Sequence, residues 1–390
     1  MIRWLKSDLW SDFAHELKQI GTFLSETELR NRINPAYTFK IRHLSPLQHR
    51  LFLKKCSEQG IPVWTGKGEQ SRSLIVSFGN REQIRQFCNT EDSFHSLGQE
   101  FGRLFHRFEL SEYRLEFRDG RALDLSTPVM MGILNVTPDS FSDGGRFLHP
   151  EKAVARALQM VEEGAKIIDI GAESTRPGSE TVPLEKEWNR IEPVLDLLRT
   201  RVNVPISVDT YKAEIARRAL EMGAAMINDI SGLTFDPKMA EVVATYQAPL
   251  VLMHIKGTPR NMQVNPHYDN LMEEIFDFLH RQVQVARQAG ITQLILDPGI
   301  GFGKRWEDNF EIHRRIEELK ILGYPLLIGA SRKSFVGRLL DVPPTERVWG
   351  TGASVALSAY KGVQVIRVHD VSQMKQVMEV AHAILRLKFS

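Results

Sequence analysis

The sequence has few cysteines, no long apolar stretch and almost no excess charge of either sign. It contains two cysteines, Cys56 and Cys88, among 390 residues, which excludes a disulfide-rich secreted scaffold and fits a reducing cytoplasm. No segment has the roughly 18 consecutive apolar residues that span a membrane, and the N-terminal sequence MIRWLKSDLWSDF has no apolar run typical of a signal peptide. The net charge is +2, so charge alone does not predict a nucleic-acid partner, and the lack of a long apolar segment predicts no membrane partner.

From about residue 129 onward, short apolar runs alternate with amphipathic stretches of helical length. The eight runs are 129–136, 166–173, 204–210, 225–231, 248–255, 293–300, 324–331 and 363–370. Continuous apolar runs that alternate with helices indicate parallel strands covered by helices. Eight such repeats over roughly 260 residues predict a closed TIM (β/α)8 barrel.

The alternative is an open, doubly wound sheet. That fold usually has fewer strands and a glycine-rich loop that binds a dinucleotide. The run GIGFGK at 299–304 follows an apolar run, but its glycines occupy every second position and do not form a GxGxxG motif. The sequence therefore favours the barrel.

Residues 1–112 have a different pattern, and we predict that they form a small α+β domain that precedes a barrel domain at 113–390. The strand-like runs lie at 37–45, 61–66 and 72–79, and the helix-like runs lie at 46–60, 81–88 and 93–109. The segment 114–125 alternates around Asp119-Gly120, which predicts a β-hairpin, and we place this hairpin at the bottom of the barrel. The role of residues 1–112 stays open.

Each apolar run of the barrel ends in a polar residue. These residues are Asn135, Glu173, Asp209, Asn228 with Asp229, His254, Asp297, Ser331 and His369. One such residue is most simply a helix cap. Eight of eight indicate a functional site, because a barrel gathers the carboxyl ends of its strands on one face, where the active sites of this fold lie.

A series of motifs resembles the dihydropteroate synthase family. In chain order they are MGILNVTPDSFSDGG, GAESTRPGS, SVDT, IND, LMHIKGTPRNMQ, LILDPGIGFGK, GASRKSFVG and RVHD, and they cover most of residues 115–388. The resemblance implies a transferase of folate biosynthesis that joins 6-hydroxymethyl-7,8-dihydropterin pyrophosphate to para-aminobenzoate. The products would be 7,8-dihydropteroate and pyrophosphate. Residues 1–112 lie outside the usual family pattern.

Several residues resemble the family's pterin contacts. Asp297 is the candidate acceptor for adjacent N–H donors of the pterin ring, because a carboxylate can accept two such bonds at once. Asp209 and Asn228 resemble other polar pterin contacts, and Met253 resembles an apolar wall. Lys333 resembles the lysine that borders both the pterin and the aminobenzoate pockets. By itself, Asp-Pro-Gly would predict only a turn.

Asn135, Arg367 and His369 resemble the family's subsite for the departing pyrophosphate. Cations and donors are needed there, since negative charge develops on the leaving group. Arg367 and His369 are two residues apart, so on a strand their side chains point to the same side. Arg367 is also a candidate to stack on the pterin. Mg²⁺ is the expected cofactor, with the Asn135 side-chain oxygen as its candidate protein ligand. The sequence has no carboxylate cluster for a complete metal site, so we expect the ion to arrive with the substrate.

The aminobenzoate side is assigned by the same resemblance. Thr175, Arg176 and Pro177 resemble aminobenzoate contacts, and Phe141 and Phe302 would form aromatic walls. Ser334 begins the helix after the seventh run, and the N–H groups at that helix end would favour the aminobenzoate carboxylate. Asp143 would order the first loop over the pyrophosphate. The candidate catalytic residues are therefore Asp143, Lys333, Arg367 and His369.

The sequence departs from the family pattern at three positions. Ala172 stands where a second glycine is usual, Ala330 where methionine is common, and Ile300 where phenylalanine is common. Every proposed polar role remains filled, and no insertion separates Ser174 from Pro177, so we expect an enzyme that sulfonamides inhibit.

Two competing functions share the barrel. A methyltransferase that passes a methyl group from a folate to a corrinoid would share the pterin slot, but it needs no subsite for pyrophosphate. A pterin-binding protein without catalysis would not need that subsite either. The family resemblance also implies a homodimer formed through helices late in the barrel.

Overall fold

The structure is a computed structural model that describes residues 1–5, 10–22, 37–66, 72–110, 112–137, 150–175 and 178–386. The chain divides into two compact units. The first comprises Met1–Leu110 and Arg314–Gly323, and the second comprises Ser111–His313 and Tyr324–Ser390. A short segment from late in the chain therefore belongs to the first unit.

The first unit is an α+β fold around an antiparallel sheet. Its strands are β1 (Ile2–Leu5), β2 (Thr38–Ile41), β3 (Val63–Thr65) and β4 (Leu74–Ser77), in the spatial order β1-β2-β4-β3. Its helices are α1 (Trp10–Gln19), α2 (Pro46–Glu58), α3 (Arg81–Cys88) and α4 (His95–Glu109), with a 3₁₀ helix at Ile316–Leu322. The predicted α+β class is confirmed. The sequence pattern did not reveal β1 or α1, because β1 is short and carries the buried charge of Arg3.

Phenylalanine rings fill the core of the first unit. Contacting pairs have ring centroids 4.9 Å to 6.2 Å apart, and the rings belong to Phe39, Phe52, Phe78, Phe87, Phe94 and Phe101. Such pairs contribute about 0.5–1.5 kcal/mol each beyond the burial of their area. These contacts join β2, and the residue that follows β4, to the three helices α2, α3 and α4.

A buried ionic cluster, here called the Glu16 cluster, consists of Arg3, Glu16, Lys40, Arg315 and Glu318. Glu16 is 1% exposed and accepts hydrogen bonds from Lys40 Nζ at 3.1 Å and Arg315 Nη2 at 2.9 Å. It also pairs with Arg3, and Arg315 Nε donates to Glu318 at 2.7 Å. Burial alone would raise the pKa of Glu16, but the charges of the three cations bring it well below its usual value. The cluster holds the segment 314–323 in the first unit.

The second unit contains an eight-stranded parallel barrel. After a hairpin of β5 (Arg114–Glu116) and β6 (Ala122–Asp124), the barrel strands are β7 (Val129–Asn135), β8 (Ile167–Gly171), β9 (Ile206–Asp209), β10 (Met226–Asp229), β11 (Leu250–Met253), β12 (Leu294–Asp297), β13 (Leu327–Ile328) and β14 (Val365–Val368). Their order is β12-β11-β10-β9-β8-β7-β14-β13, and all neighbours are parallel. A parallel bridge between Leu296 and Leu326 closes the ring. The TIM barrel prediction is confirmed, and each predicted run contains one strand.

Helices follow the barrel strands. They are α5 (Pro150–Glu163), α6 (Leu184–Arg201), α7 (Ala213–Met222), α8 (Met239–Tyr246), α9 (Leu271–Gln288), α10 (Trp306–Arg315), α11 (Ser334–Leu340), α12 (Val348–Tyr360) and α13 (Val371–Arg386). Gly223 ends α7 with a left-handed φ of 111°, the conformation that glycine adopts without steric cost. Within the described ranges, no helix combines the length and the apolar character needed to cross a bilayer.

The hairpin of β5 and β6 fills the amino-terminal end of the barrel. Leu115, Phe117 and Leu125 are buried in one cluster with side chains from seven barrel strands. The barrel members of this cluster are Val129, Met131, Ile167, Met226, Val251, Ile295, Leu327 and Val365. This arrangement confirms the predicted plug and leaves the carboxyl end of the barrel for the site.

Candidate active site

Two residues further along, four of the barrel strands carry a polar side chain above the apolar interior layer. Side chains two apart on a strand point to the same side, so these residues also face the barrel interior. Asp169, Asn228, Met253, Asp297, Gly329 and Arg367 follow Ile167, Met226, Val251, Ile295, Leu327 and Val365 by two positions. The strand-end residues predicted from the sequence therefore converge with charged residues one layer above the core.

Arg367 on β14 is at the centre of this layer. Its Nε donates to Asp169 Oδ2 at 2.6 Å, and its Nη2 donates to Asp209 Oδ2 at 2.8 Å. Asn228 Nδ2 donates to the same Asp169 oxygen at 3.0 Å. Four strands thus contribute to one hydrogen-bonded network, which fixes the orientation of the guanidinium plane.

Asp169 is a member of this network that the sequence interpretation missed. It is fully buried on β8, and its Oδ1 has no hydrogen-bond partner among the described residues. The available signal was a charge in the middle of the apolar run KIIDIGAE, since a buried charge must be paired. That signal shows that a partner is needed but does not identify Arg367.

Asp209 lies beside Arg367 and close to Asn135. Burial raises the pKa of Asp209 to about 7, although the guanidinium of Arg367 opposes the shift. A Cβ added to Gly171 would lie 3.6 Å from both Asn135 Oδ1 and Asp209 Cβ. Asn135 and Asp209 therefore flank Gly171, on three neighbouring strands.

Asp297 ends β12 and is 6% exposed. Its Oδ1 accepts a hydrogen bond from the backbone N–H of Gly299 at 2.7 Å. Burial raises the pKa of Asp297, while the charges of Lys333, Lys304 and Arg367 lower it. Asp297 and Arg367 therefore both face the barrel interior one layer above the core, where the charge of Arg367 acts on Asp297.

Lys333 and Phe302 contact each other near the carboxyl end of the barrel. Lys333 Nζ lies 4.6 Å from the centroid of the Phe302 ring and donates a hydrogen bond to the carbonyl oxygen of Ile300. Burial lowers the pKa of Lys333 to about 8, while Asp297 raises it. Phe302 also packs in an apolar cluster that includes Met253 and Met262.

The other predicted residues are placed as follows. His369 Nδ1 lies 3.0 Å from Ser331 Oγ, and the same hydroxyl accepts the backbone N–H of His369 at 3.2 Å. Ser334 is the first residue of α11 and is exposed, and Thr175 is half-buried in the loop after β8. Phe141, Asp143, Arg176 and Pro177 lie outside the described residues.

Three strand-end residues hold neighbouring segments. Glu173 accepts a hydrogen bond from Tyr211 Oη at 2.6 Å. Asp229 accepts bonds from the backbone N–H groups of Ser231 at 2.8 Å and Leu233 at 2.7 Å. His254 contacts the buried ammonium of Lys304. A strand-end position alone therefore does not identify a pocket residue.

Comparisons with known proteins agree on one family. Residues 131–369 match the family described as pterin binding enzyme. The dihydropteroate synthase of Synechocystis sp. is 52% identical over 260 residues, which are 66% of this chain and 90% of that protein. A Yersinia pestis dihydropteroate synthase crystallised with a sulfonamide drug complex shares 44% identity at a TM-score of 0.67, covering 70% of this chain and 99% of that one. A Xanthomonas albilineans dihydropteroate synthase with 4-aminobenzoic acid shares 42% identity at a TM-score of 0.67, covering 71% of this chain and 100% of that one.

The family match covers more than half of the chain, and the relatives align over nearly their whole lengths. The same region holds the network of Arg367, Asp169 and Asp209 and the pocket residue Asp297. The chain therefore belongs to the dihydropteroate synthase family and is a transferase with dihydropteroate synthase function.

Proposed function

We propose that this pocket condenses 6-hydroxymethyl-7,8-dihydropterin pyrophosphate with para-aminobenzoate, giving 7,8-dihydropteroate and pyrophosphate. The observation that carries the assignment is the polar layer above the barrel core, where the Asp297 carboxylate on β12 and the Arg367 guanidinium on β14 both face the interior. The first suits a heterocycle with adjacent N–H donors, and the second suits a departing anion. The Xanthomonas albilineans relative, crystallised with 4-aminobenzoic acid, supports the choice of the second substrate.

Asp297 is the proposed anchor of the pterin. Because the Gly299 N–H occupies only one lone pair of Oδ1, a carboxylate with about four acceptor sites can still accept two N–H donors. Asp209 and Asn228 would contact other polar atoms of the ring, and Met253 would lie against its face. Burial of these groups excludes competing water from the hydrogen bonds.

The reaction breaks the bond between the methylene carbon and the pyrophosphate oxygen. The bonding electron pair leaves with pyrophosphate, and the electron-rich dihydropterin delocalises the resulting cation. The aniline nitrogen then forms the new carbon–nitrogen bond and releases a proton. Arg367 and His369 would stabilise the charge on the leaving group, with Arg367 oriented by Asp169 and Asp209.

Mg²⁺ is the proposed cofactor, with Asn135 as its protein ligand. Glycine at position 171 leaves room beside Asn135 Oδ1, which would lie 3.6 Å from a Cβ there. In the described part of the chain, no group of three or more His, Cys, Asp or Glu side chains could hold a metal ion, so phosphate and water oxygens would complete the coordination. When bound, the ion would neutralise charge on the pyrophosphate.

The aminobenzoate side of the pocket is proposed from fewer described residues. Lys333 Nζ lies 4.6 Å from the centroid of the Phe302 ring and is influenced by the charge of Asp297, so it can border both substrates. Thr175 and the N-terminal N–H groups of the helix that Ser334 begins would contact the aminobenzoate. Phe141, Asp143, Arg176 and Pro177 keep the roles that the family resemblance implies, outside the described residues.

A pyrophosphate-release assay tests this function. The purified protein is mixed with dihydropterin pyrophosphate, aminobenzoate and Mg²⁺, and we expect pyrophosphate release that requires aminobenzoate. A sulfonamide should compete with aminobenzoate, as the sulfonamide complex of the Yersinia pestis relative suggests. Release without aminobenzoate, or none, would contradict the proposal. Methyl transfer from a folate to a corrinoid would instead favour the methyltransferase alternative.

Arg367→Ala is expected to lower turnover by about 10²-fold or more, because it removes a charge that stabilises the leaving group. Pterin affinity should fall by a smaller factor. Steady-state kinetics gives the turnover number, and calorimetry with the dihydropterin gives the affinity. Arg218→Ala is the matched control, since Arg218 pairs with Glu185 and Glu214 on the helix surface. Equal losses in turnover and affinity would place Arg367 on the pterin wall instead.

A homodimer is proposed from exposed apolar residues on the late helices. Val380 and Ile384 on α13 are 61% and 69% exposed, and Trp349 on α12 is 86% exposed. Val380 and Ile384 are four residues apart, so they lie on the same helix face. Helices α12 and α13 pack against each other, and a second copy of the chain would cover their apolar side chains.

The double variant Val380→Lys with Ile384→Lys should weaken the dimer by about 100-fold or more, because each buried aliphatic side chain contributes about 1.5–3 kcal/mol. Sedimentation equilibrium measures the dissociation constant. Glu379→Gln, at a neighbouring position that is 59% exposed, is the control. A monomeric parent protein, or an unchanged dimer in the double variant, would refute this interface.

A cytoplasmic location is also proposed. Cys56 and Cys88 are free thiols, a state that a reducing compartment maintains.

A further inference from the structure

Lys304 is a buried lysine behind the proposed pterin pocket. Lys304 comes directly after the glycine-rich run that follows β12, and it is 2% exposed. Its Nζ lies 2.9 Å from His254 Nδ1 and donates to the carbonyl oxygens of Phe302 at 3.0 Å and His254 at 3.4 Å. These three partners can use all three N–H bonds of an ammonium group. Burying such a group costs folding free energy, so a buried lysine at this position indicates a function.

The contacts of Lys304 join the loops that follow β11 and β12. Gly299 packs against the His254 carbonyl so closely that a Cβ at position 299 would lie 1.9 Å from that oxygen. The same Gly299 donates its N–H to Asp297 Oδ1, and the His254 N–H donates to the Asp297 carbonyl oxygen at 2.9 Å. Lys304 therefore supports the backbone that places the Asp297 carboxylate.

Lys304 also acts on Asp297 through its charge. Three cations face Asp297: Lys304 from the loop after β12, Lys333 from the start of α11, and Arg367 from β14. Of these, Lys333 and Arg367 have proposed contacts with the substrates. Lys304 is held by protein atoms, so its effect on Asp297 does not depend on a bound ligand.

The surroundings of Lys304 determine how it titrates. The charged groups that face it are Asp297, Lys333, Asp308 on α10 and Lys256 after β11, and its ring neighbour is His254. Burial lowers the pKa of Lys304 to about 7. Burial also lowers the pKa of His254 far below its usual value. The imidazole is therefore neutral and can accept a hydrogen bond from the Lys304 ammonium group. Lys304 therefore gains positive charge as the pH falls below neutrality. Asp297 also comes closer to protonation as the pH falls, so the ammonium group is present where the carboxylate needs it.

We propose that Lys304 is a positioning residue that sets pterin affinity, because its ammonium group fixes the loop after β12 and keeps the Asp297 carboxylate ionised. This inference rests on the proposed role of Asp297 as the pterin anchor. Lys304 itself touches neither substrate.

Lys304→Met tests the proposal in the full-length protein. The dissociation constant of the dihydropterin is measured by calorimetry from acidic to neutral pH. In the variant, Asp297 should protonate at a higher pH, so the acid-side loss of affinity should move upward by about one pH unit. Lys304→Arg, which keeps the charge, should keep the original pH profile even if its size weakens binding at every pH.

Lys54→Met is the control. Lys54 Nζ lies 3.7 Å from Glu58 Oε1 on α2 of the first unit, and its removal should leave the pH profile of pterin binding unchanged. Lys304→Gln provides a second neutral variant if Lys304→Met does not fold. A loss of affinity that is uniform across pH in the neutral variants would show a purely structural role and overturn the proposal.

The test separates this inference from the role of Asp297. If Asp297→Asn binds the dihydropterin normally, the anchor assignment itself fails. If Asp297→Asn loses binding while the neutral Lys304 variants keep the parent pH profile, only the inference about Lys304 fails.

Discussion

Asp297→Asn is expected to weaken binding of the dihydropterin by roughly 10²- to 10⁴-fold, the equivalent of two charge-assisted hydrogen bonds at about 1.5–3 kcal/mol each. The asparagine amide can accept with its oxygen, but its NH₂ group would face an N–H donor of the ring. Calorimetry with the dihydropterin measures the loss directly. Unchanged affinity would remove Asp297 from the pterin site.

The same substitution should not lower the melting temperature. Burial raises the pKa of Asp297, so at neutral pH the ionised carboxylate costs folding free energy. Asparagine removes that cost. Asp229→Asn is the matched control, because Asp229 also ends a barrel strand but accepts hydrogen bonds from Ser231 and Leu233 in its own turn. We expect that variant to keep its pterin affinity, unlike Asp297→Asn.

Glu16→Gln is expected to lower the free energy of unfolding by about 3–5 kcal/mol, the usual cost of removing one partner from a buried ion pair. The substitution leaves Arg3, Lys40 and Arg315 buried with Glu318 as the remaining anion of the Glu16 cluster. Urea denaturation at neutral pH measures the change. Glu58→Gln is the control, since Glu58 is 48% exposed and lies 3.7 Å from Lys54. Exposed pairs of this kind usually contribute under about 1 kcal/mol.

The effect of Glu16→Gln should depend on pH. The folded-state pKa of Glu16 lies well below the usual value, so its contribution to stability is complete above the pKa of the unfolded chain. It is lost as the pH falls towards the folded-state pKa. The parent protein should therefore approach the variant in stability under acidic conditions. A constant difference across pH, or a difference below about 1 kcal/mol at neutral pH, would contradict this account of the Glu16 cluster.

Predictions from the sequence were most successful where local periodicity carries the information. A strand buried on both faces must be apolar along its length, and the helix that follows must be amphipathic, so the eight barrel strands could be identified one at a time. Asp297 and Asp209 could be proposed because each ends such a run. Asp229 and Glu173 have the same position and instead hold neighbouring segments. The position along a strand predicts the end of the barrel, and the alternation of side chains then turns Asp229 away from the interior that Asn228 faces.

The predictions failed where a charge is buried against a distant partner. Arg3 makes β1 look unlike a buried strand, and its partner Glu16 lies on α1. Asp169 likewise interrupts an apolar run, and the sequence does not show that Arg367 is its partner. In both cases the local sequence shows a buried charge but not the distant residue of opposite charge that pairs with it.

The sequence by itself determined the barrel strands, their order along the chain and the face on which their polar ends collect, because these follow from side-chain periodicity. Only the tertiary structure decided which charges pair. Glu16 binds Arg315 across 299 positions, and Arg367 binds Asp169 across 198. The packing of α1 and the closure of the barrel bring these distant residues to within 3 Å of each other. Their energy also depends on burial, which no short stretch of sequence specifies.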